Sequence, residues 1–275
     1  MTIIKNTAAA PIGVLDALGH QLAFYLRVIA WIPRVIVSYP KEILRLLSEV
    51  VFGRGALAII GGTVGVIVTM SFFTGMEVGM QGHSALEQLG TSAFAGFFSA
   101  YFNTREIAPL VAGIALAATV GCGFTAQLGA MRISEEVDAL EVMAIPSLPY
   151  LVTTRVVAGM IAIIPLYMLG LLASYVATRF TVTWMYGQSP GTYDHYFSLF
   201  LPPQDVLWSF LKVLIFAVLV IMIHCYYGYF ASGGPVGVGI AVGRAVRTSI
   251  VVINIADLMI SMAIWGTTTT VRLAG

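Results

Sequence analysis

The chain has 275 residues, of which 59% are hydrophobic and only 10% are charged. A soluble globular domain carries roughly a quarter charged residues, so this composition excludes an ordinary soluble protein and predicts a chain embedded in a lipid bilayer. The net charge is +1 and the Lys and Arg residues form no block, which gives no case for binding nucleic acid.

Residues 1–52 are predicted to form an interfacial helical segment. On a helical wheel, six polar or charged side chains share an arc of about 60°. They are Asp16, His20, Arg27, Arg34, Lys41 and Arg45. A basic stripe on an apolar helix is typical of a segment lying in the cytoplasmic membrane interface, and packing on the protein's own spans is a compatible alternative. Pro33 and Pro40 are expected to break this helix.

Five stretches have the length of about 20 apolar residues that a transmembrane helix needs. They are 56–76, 107–131, 156–178, about 206–230 and 248–271. Lys212, near one end of the fourth stretch, is expected to extend its side chain to the interface. We therefore predict an all-α polytopic membrane protein with five transmembrane helices in a membrane domain over residues 53–275.

Residues 88–104 form a further uncharged run that is slightly short for a span. We predict a re-entrant or interfacial helix there. A sixth span is the alternative, and it would place the N-terminus on the opposite side from the acidic segment described below.

The positions of Lys and Arg predict the orientation, because cytoplasmic loops are enriched in these residues. A cytoplasmic N-terminus and five spans place ten of the 14 on the cytoplasmic side. The other four, near the outer side, are Arg105, Arg179, Lys212 and Arg272. This predicts a multi-pass protein of the cytoplasmic membrane.

The segment ISEEVDALEVMAIP, residues 133–146, carries four carboxylates: Glu135, Glu136, Asp138 and Glu141. Ser134 is a suitable N-cap, and Pro146 is expected to end the helix, which predicts a surface helix over residues 134–144. Val137, Leu140 and Ala144 would share one face and carboxylates another. A solvated loop helix, a docking helix for a cytoplasmic partner and, less favoured, carboxylate chemistry remain open.

The chain lacks the motifs of several enzyme classes. GGTVG at 61–65 and GGPVGVG at 233–239 lack the lysine of a P-loop, so no ATP site is expected on this chain. No Ser/His/Asp arrangement or metal site is indicated, and Cys122 and Cys225 are expected to be buried and inert. The glycine pairs Gly61/Gly65 and Gly75/Gly79 predict close helix packing.

Polar side chains inside apolar spans need a physical reason, because burial of charge in a membrane is costly. Asp257 lies near the middle of the last predicted span and either pairs with another helix or lines a lipid or proton path. His224 is expected to be a helix-interface residue. Arg105 and Glu106 are adjacent near the outer side and are able to bind a lipid head group.

Residues 105–159, REIAPLVAGIALAATVGCGFTAQLGAMRISEEVDALEVMAIPSLPYLVTTRVVAG, resemble the permease subunits of the MlaE or YrbE family. The G-x-QG of residues 79–82 and GVGIAVGRAVRTSIVVINIADLMI at 237–260 resemble the same family. The spacing of SEEVDALEVM is most similar to the YrbE proteins of Mce lipid transporters. The resemblance covers nearly the whole chain after residue 14.

The resemblance implies a permease of an ATP-driven lipid transporter. It implies a second YrbE-type permease, a cytoplasmic ABC ATPase dimer that holds ATP and Mg, and MCE-domain proteins on the outer side. Residues 134–144 would be the coupling helix, with Glu135, Glu136, Val137, Asp138, Leu140 and Glu141 as its ATPase-coupling residues. The resemblance places the lipid cavity between the two permeases near the outer end of the first span. Our candidates for the lipid pathway there are Arg105 and Glu106, with Val78, Leu86, Leu89 and Ile107 as apolar lining.

Two positions depart from the family pattern. Many members carry Lys or Arg at the position of Thr119 and Glu at the position of Gln127. The absence of this charge pair favours a non-identical partner permease. A proton-coupled secondary transporter using Asp257 and His224, and a membrane scaffold, remain alternatives.

Overall fold

The computed structural model describes residues 3–52 and 62–266 as a set of helices. In these ranges the helices are α1 Ile3–Ser38, α2 Pro40–Phe52, α3 Thr63–Gln88, α4 Ser92–Ile133, α5 Glu136–Val142, α6 Leu148–Met185, α7 Pro190–Leu199, α8 Pro203–Tyr229 and α9 Gly234–Trp265. The predicted span ends at 56 and 271, together with Arg54, Gly61 and Arg272, lie outside the described residues. The all-α prediction is confirmed for the part of the chain that is described.

Six helical segments within the described ranges are long and apolar enough to cross a membrane. Five of them, α3, α4, α6, α8 and α9, correspond to the five predicted spans. The sixth is Leu18–Ser38 of α1, which lies in the segment predicted to be interfacial. Length and composition therefore give one more candidate span than the sequence pattern predicted.

The helix boundaries differ from the predictions at several ends. Residues 92–104 are not a separate re-entrant helix, because they continue without interruption into the predicted span to form the 42-residue α4. A π-helical stretch, Ser99–Ile107, comes just before Pro109. It accommodates this proline, which has no amide hydrogen to donate to the helix. The helix α6 begins in the same way, with the π-helical stretch Leu148–Thr153 around Pro149.

The central helices pack through small residues and a buried apolar core. A Cβ at Gly75 would lie 2.5 Å from the Ser174 carbonyl oxygen, and one at Gly79 would lie 2.9 Å from Thr181 Cβ. These glycines therefore allow α3 to approach α6 closely, as predicted. The middle of the bundle is occupied by α8, whose Phe216 and Ile221 are fully buried.

The helices α1 and α2 lie at one end of the bundle, beside α5; we refer to it as the α5 end. The Phe24 ring lies 5.3 Å from the Tyr226 ring, and Tyr39 lies 5.3 Å from Tyr150, both edge-on. Thr153 donates a hydrogen bond of 3.4 Å to the carbonyl of Val28. The helix continues through Pro33 and breaks only before Pro40, so the predicted break at Pro33 is wrong.

Candidate functional site

The acidic segment folds into α5, which is shorter than predicted. Its seven residues run from Glu136 to Val142. Glu135 and Ala144, with φ of 61° and 59°, bracket it in the left-handed region that non-glycine residues rarely adopt. Ser134 is not the N-cap, because its hydroxyl bonds back to the Ala130 carbonyl at 3.0 Å and ends the preceding helix.

The two faces of α5 have different surroundings. Val137 is fully buried against the spans and Leu140 is partly buried, whereas Glu135, Glu136, Asp138 and Glu141 are exposed. Ala144 is exposed beyond the helix end, so it does not join the apolar face that the sequence predicted. One face of α5 is therefore fixed against the spans, and the opposite face exposes the carboxylates to solvent.

Three carboxylates on α5 accept hydrogen bonds from neighbouring groups, the first being Glu136, which accepts from Ser134 Oγ at 3.0 Å. Arg132 Nη1 donates to Asp138 Oδ1 at 2.6 Å across an exposed surface. Ser147 Oγ bonds Glu141 Oε1 at 2.6 Å and Tyr229 Oη at 2.7 Å. These contacts join α5 to the end of α4, the start of α6 and the end of α8.

A groove lies at the other end of α3 and α4, and we call it the distal groove. It has a volume of about 360 Å³ and is lined by Glu77, Val78, Gln81, Gly82, Phe98, Phe102 and Ile107. A Cβ at Gly82 would lie 2.7 Å from the Phe98 ring, so glycine lets this aromatic ring form the groove floor. The structure thus brings together Val78 and Ile107 of the predicted lipid pathway.

The other predicted apolar lining residues lie elsewhere. Leu86 is buried in a separate cluster with Ala95, Val182 and Tyr193. Leu89 is 74% exposed just after the end of α3. Neither residue lines the distal groove in the described structure.

Arg105 forms a buried ion pair, and it also lines a cavity of about 440 Å³. Its Nε and Nη2 donate to Asp205 Oδ2 at 2.9 Å and 2.7 Å. Trp265 Nε1 donates to the other oxygen, Oδ1, at 3.0 Å, and the guanidinium lies over the Tyr101 ring. This pair connects α4, α8 and the end of α9.

Glu106 and Asp257 share Lys212, whose side chain is fully buried. The prediction that Lys212 reaches the interface is wrong, because its ammonium group donates inward. Its three hydrogens go to the Arg105 carbonyl at 2.8 Å, to Glu106 at 3.0 Å and to Ser261 Oγ at 2.7 Å.

Asp257 lies beside the Lys212 ammonium group, which already donates three hydrogen bonds to other groups. Its Oδ1 is 2.7 Å from Lys212 Nζ, the distance of a close ion pair. Attraction between opposite charges therefore connects Asp257 of α9 to α8, and Ser261 joins the cluster by donating to Glu106 at 2.8 Å.

His224 is fully buried at the contact between α8 and α4. Thr125 Oγ1 lies 2.8 Å from its Nδ1, and its ring occupies the space that a Cβ at Gly121 would fill. His224 and the Asp257 cluster share no hydrogen bond or ion pair in the described structure.

Sequence reasoning missed Asp205 and misjudged Lys212. These residues are seven positions apart on α8, so they lie on one face about two turns apart. Asp205 pairs with Arg105 and Lys212 pairs with Glu106. The sequence did contain a signal for this contact. An acid and a base seven residues apart in one span could pair with an adjacent base and acid in another.

The two positions that depart from the family pattern have different surroundings. Gln127 donates to Glu49 at 2.7 Å and accepts from Arg155 at 3.3 Å, so it connects α2, α4 and α6. Arg155 is buried and also donates to the Leu151 carbonyl. Among the described residues, the Thr119 hydroxyl bonds within its own helix, to the Ala115 carbonyl.

Comparison with known proteins adds an independent finding. A family model described as Permease MlaE matches residues 52–263. A Probable ABC transporter permease protein of Rickettsia bellii is 29% identical over 196 residues, which cover 71% of this chain and 76% of that protein.

Two further relatives come from photosynthetic organisms. Protein TRIGALACTOSYLDIACYLGLYCEROL 1, chloroplastic, of Arabidopsis thaliana is 30% identical over 225 residues, which cover 80% of this chain and 64% of that protein. A Probable ABC transporter permease protein of Synechocystis is 30% identical over 189 residues, covering 69% of this chain and 72% of that protein.

Proposed function

Because the chain belongs to the MlaE permease family, we propose that it is the membrane subunit of an ATP-driven lipid transporter of the Mce or Mla type. The plant relative, which is named after a glycolipid, supports a lipid as cargo. The relatives named as ABC transporter permeases support an energy source on a separate ATPase, which would hold ATP and Mg.

The geometry of α5 carries the proposal that this helix couples the permease to the ATPase. It is short, acidic and exposed, and it is anchored through the fully buried Val137. Because it connects α4 to α6 directly, a push on α5 would be transmitted to two long helices. Glu135, Glu136 and Asp138 are proposed to face the ATPase.

The distal groove is the proposed lipid pathway on this chain. Phe98, Phe102, Val78 and Ile107 give it apolar walls, and Glu77 with Gln81 forms a polar edge joined by a hydrogen bond of 2.6 Å. Arg105 and Glu106 are proposed to stabilise the wall of the pathway, because their ion pairs with Asp205 and Lys212 hold α4 against α8. A second permease, proposed to be non-identical, would close the open side.

We propose that α1 lies in the cytoplasmic interface rather than across the membrane. The contacts between Phe24 and Tyr226, Val28 and Thr153, and Tyr39 and Tyr150 all occur at the α5 end of α6 and α8. A membrane-crossing helix would contact its neighbours along their length. The start of the family match at residue 52 supports treating residues 1–52 apart from the permease domain 53–275.

The proton-coupled alternative has less support. Lys212 binds Glu106 and lies against Asp257, which gives these charges a structural reason to be buried. His224 bonds Thr125 at a different helix contact.

Charge reversal on α5 tests the coupling proposal. In the triple variant Glu135→Lys, Glu136→Lys and Asp138→Lys, we expect the permease to stay in the membrane but to lose the ATPase on copurification. Glu87→Lys, an exposed charge reversal at the end of α3 away from α5, is the matched control and should keep the ATPase. Equal recovery of the ATPase with both variants would refute the coupling role of α5.

A further inference from the structure

A second cavity lies at the α5 end, between α1 and the loop that follows α5. Its volume is about 470 Å³, larger than the distal groove. We call it the proximal cavity. It lies roughly 40 Å from the distal groove, as judged from the 27 residues of α4 that separate Arg105 and Arg132.

Charges of both signs line the proximal cavity. Arg27 enters from α1 and Glu141 enters from α5, and the uncharged surface of the cavity includes the His20 ring, whose Nδ1 lies 3.3 Å from Tyr226 Oη. No ion pair joins Arg27 to Glu141 in the described part of the chain. Glu141 instead accepts a hydrogen bond from Ser147 through one oxygen. Opposite charges thus line the same space without neutralising each other.

This pattern selects a ligand that carries both charges. A simple anion would be attracted to Arg27 and repelled by Glu141, and a simple cation would experience the reverse. A phosphate joined to a cationic nitrogen satisfies both groups, because the phosphate accepts charge-assisted hydrogen bonds from Arg27 and the cationic nitrogen is attracted to the Glu141 carboxylate. Aromatic rings of Phe24, Trp31 and Phe230 also line the cavity and are suited to a cationic amine.

The surroundings of the cavity favour a lipid over a soluble ligand. On the same turns of α1, Leu22 and Leu26 are 58% and 62% exposed and form an apolar surface that acyl chains would cover. Leu148 and Pro149 give the cavity an apolar wall on the opposite side.

We propose that the proximal cavity binds the zwitterionic head group of a phospholipid, with its phosphate at Arg27 and His20 and its amine at Glu141. The bound lipid would join α1 to α5 and stabilise their contact. This site is distinct from the proposed transport pathway, and its occupancy does not depend on ATP or on a second permease.

Lipid retention by the purified full chain tests this proposal. The protein is exchanged into detergent with equal amounts of phosphatidylethanolamine, phosphatidylcholine and phosphatidylglycerol, and bound lipid is measured by native mass spectrometry. We expect the two zwitterionic lipids to be retained about tenfold over phosphatidylglycerol, which lacks the amine. Equal retention of all three would overturn the proposal.

Two variants and one control locate the site. Arg27→Gln and Glu141→Gln should each lower retention of the zwitterionic lipids roughly tenfold, because each removes one charge that attracts the opposite charge of the head group. Arg247→Gln, on the exposed surface of α9 outside the cavity, should change nothing. Unchanged retention in Arg27→Gln would overturn the proposal even if Glu141→Gln fails to fold.

A soluble competitor distinguishes the two sources of this chemistry. Glycerophosphoethanolamine carries the same head group without acyl chains, and we expect it not to displace the lipid. Displacement at concentrations equal to that of the lipid would identify a soluble ligand and overturn the assignment to a membrane lipid.

Discussion

Glu135 and Ala144 hold the two ends of α5 in a backbone conformation that costs an L-residue roughly 1 to 2 kcal/mol. Glycine adopts this conformation without that cost. The sequence did not reveal these positions, because neither residue is a glycine or an asparagine, and the predicted helix therefore extended over both.

Ala144→Gly is predicted to stabilise the protein by about 1 kcal/mol, because it relieves the left-handed strain. Ala139→Gly, inside the same helix, is the matched control and should lower stability by a similar amount through loss of helix propensity. Thermal unfolding in detergent measures both. A loss of stability in Ala144→Gly would contradict the assigned backbone geometry.

Lys212 is the residue on which the buried charge cluster depends. Lys212→Met leaves Glu106 and Asp257 without their cation, and we expect a loss of roughly 3 kcal/mol or more. Adding Glu106→Gln and Asp257→Asn should restore much of the stability, because the uncompensated carboxylates are then neutral.

The control for this prediction is Lys41→Met, which removes an exposed lysine at the start of α2. It should leave the unfolding temperature close to that of the unaltered protein. Equal unfolding temperatures for Lys212→Met and Lys41→Met would show that the cluster contributes no stability.

At the scale of elements, the five long apolar runs predicted five of the six candidate spans but not their ends. The hydrophobic signal stops where a helix leaves the apolar region, whereas the helix itself continues, as α3 does to Gln88 and α6 to Met185. The contacts between helices were less predictable, because a charge such as Asp257 shows that a partner is needed without identifying Lys212.

The contact between α3 and α6 depends on Gly75. Gly75→Ala would place a methyl group against the Ser174 backbone, and we expect a loss of about 1 to 3 kcal/mol from overpacking. Gly123→Ala, in α4 with no atom within 4 Å of the added methyl group, is the matched control and should be neutral or stabilising. Similar unfolding temperatures for the two variants would contradict the close approach of α3 and α6.

Labelling of introduced cysteines tests the placement of α1. With Cys122 and Cys225 replaced, Asp16→Cys and Ser38→Cys are treated with a membrane-impermeant maleimide in vesicles of known orientation. An interfacial α1 predicts labelling of both positions from the same side. Labelling from opposite sides would make α1 a sixth span and reverse the proposed side of the N-terminus.

At the scale of the whole molecule, the proposed functional surfaces lie at opposite ends of the same helices. The distal groove contacts the beginning of α4, and α5 follows the end of α4. The charge pairs of Arg105 and Lys212 connect α4 to α8 and α9 near the groove. We propose that ATP hydrolysis moves α4 or α6 relative to the region held by these charge pairs, and that this movement changes the shape of the distal groove that holds the lipid.

The most direct test is lipid transfer by the permease reconstituted in liposomes with its ATPase and partner permease. We predict transfer of a labelled lipid that requires ATP, continues when the proton gradient is collapsed, and is abolished by the triple charge reversal on α5. Transfer that requires a proton gradient and proceeds without ATP would contradict the account.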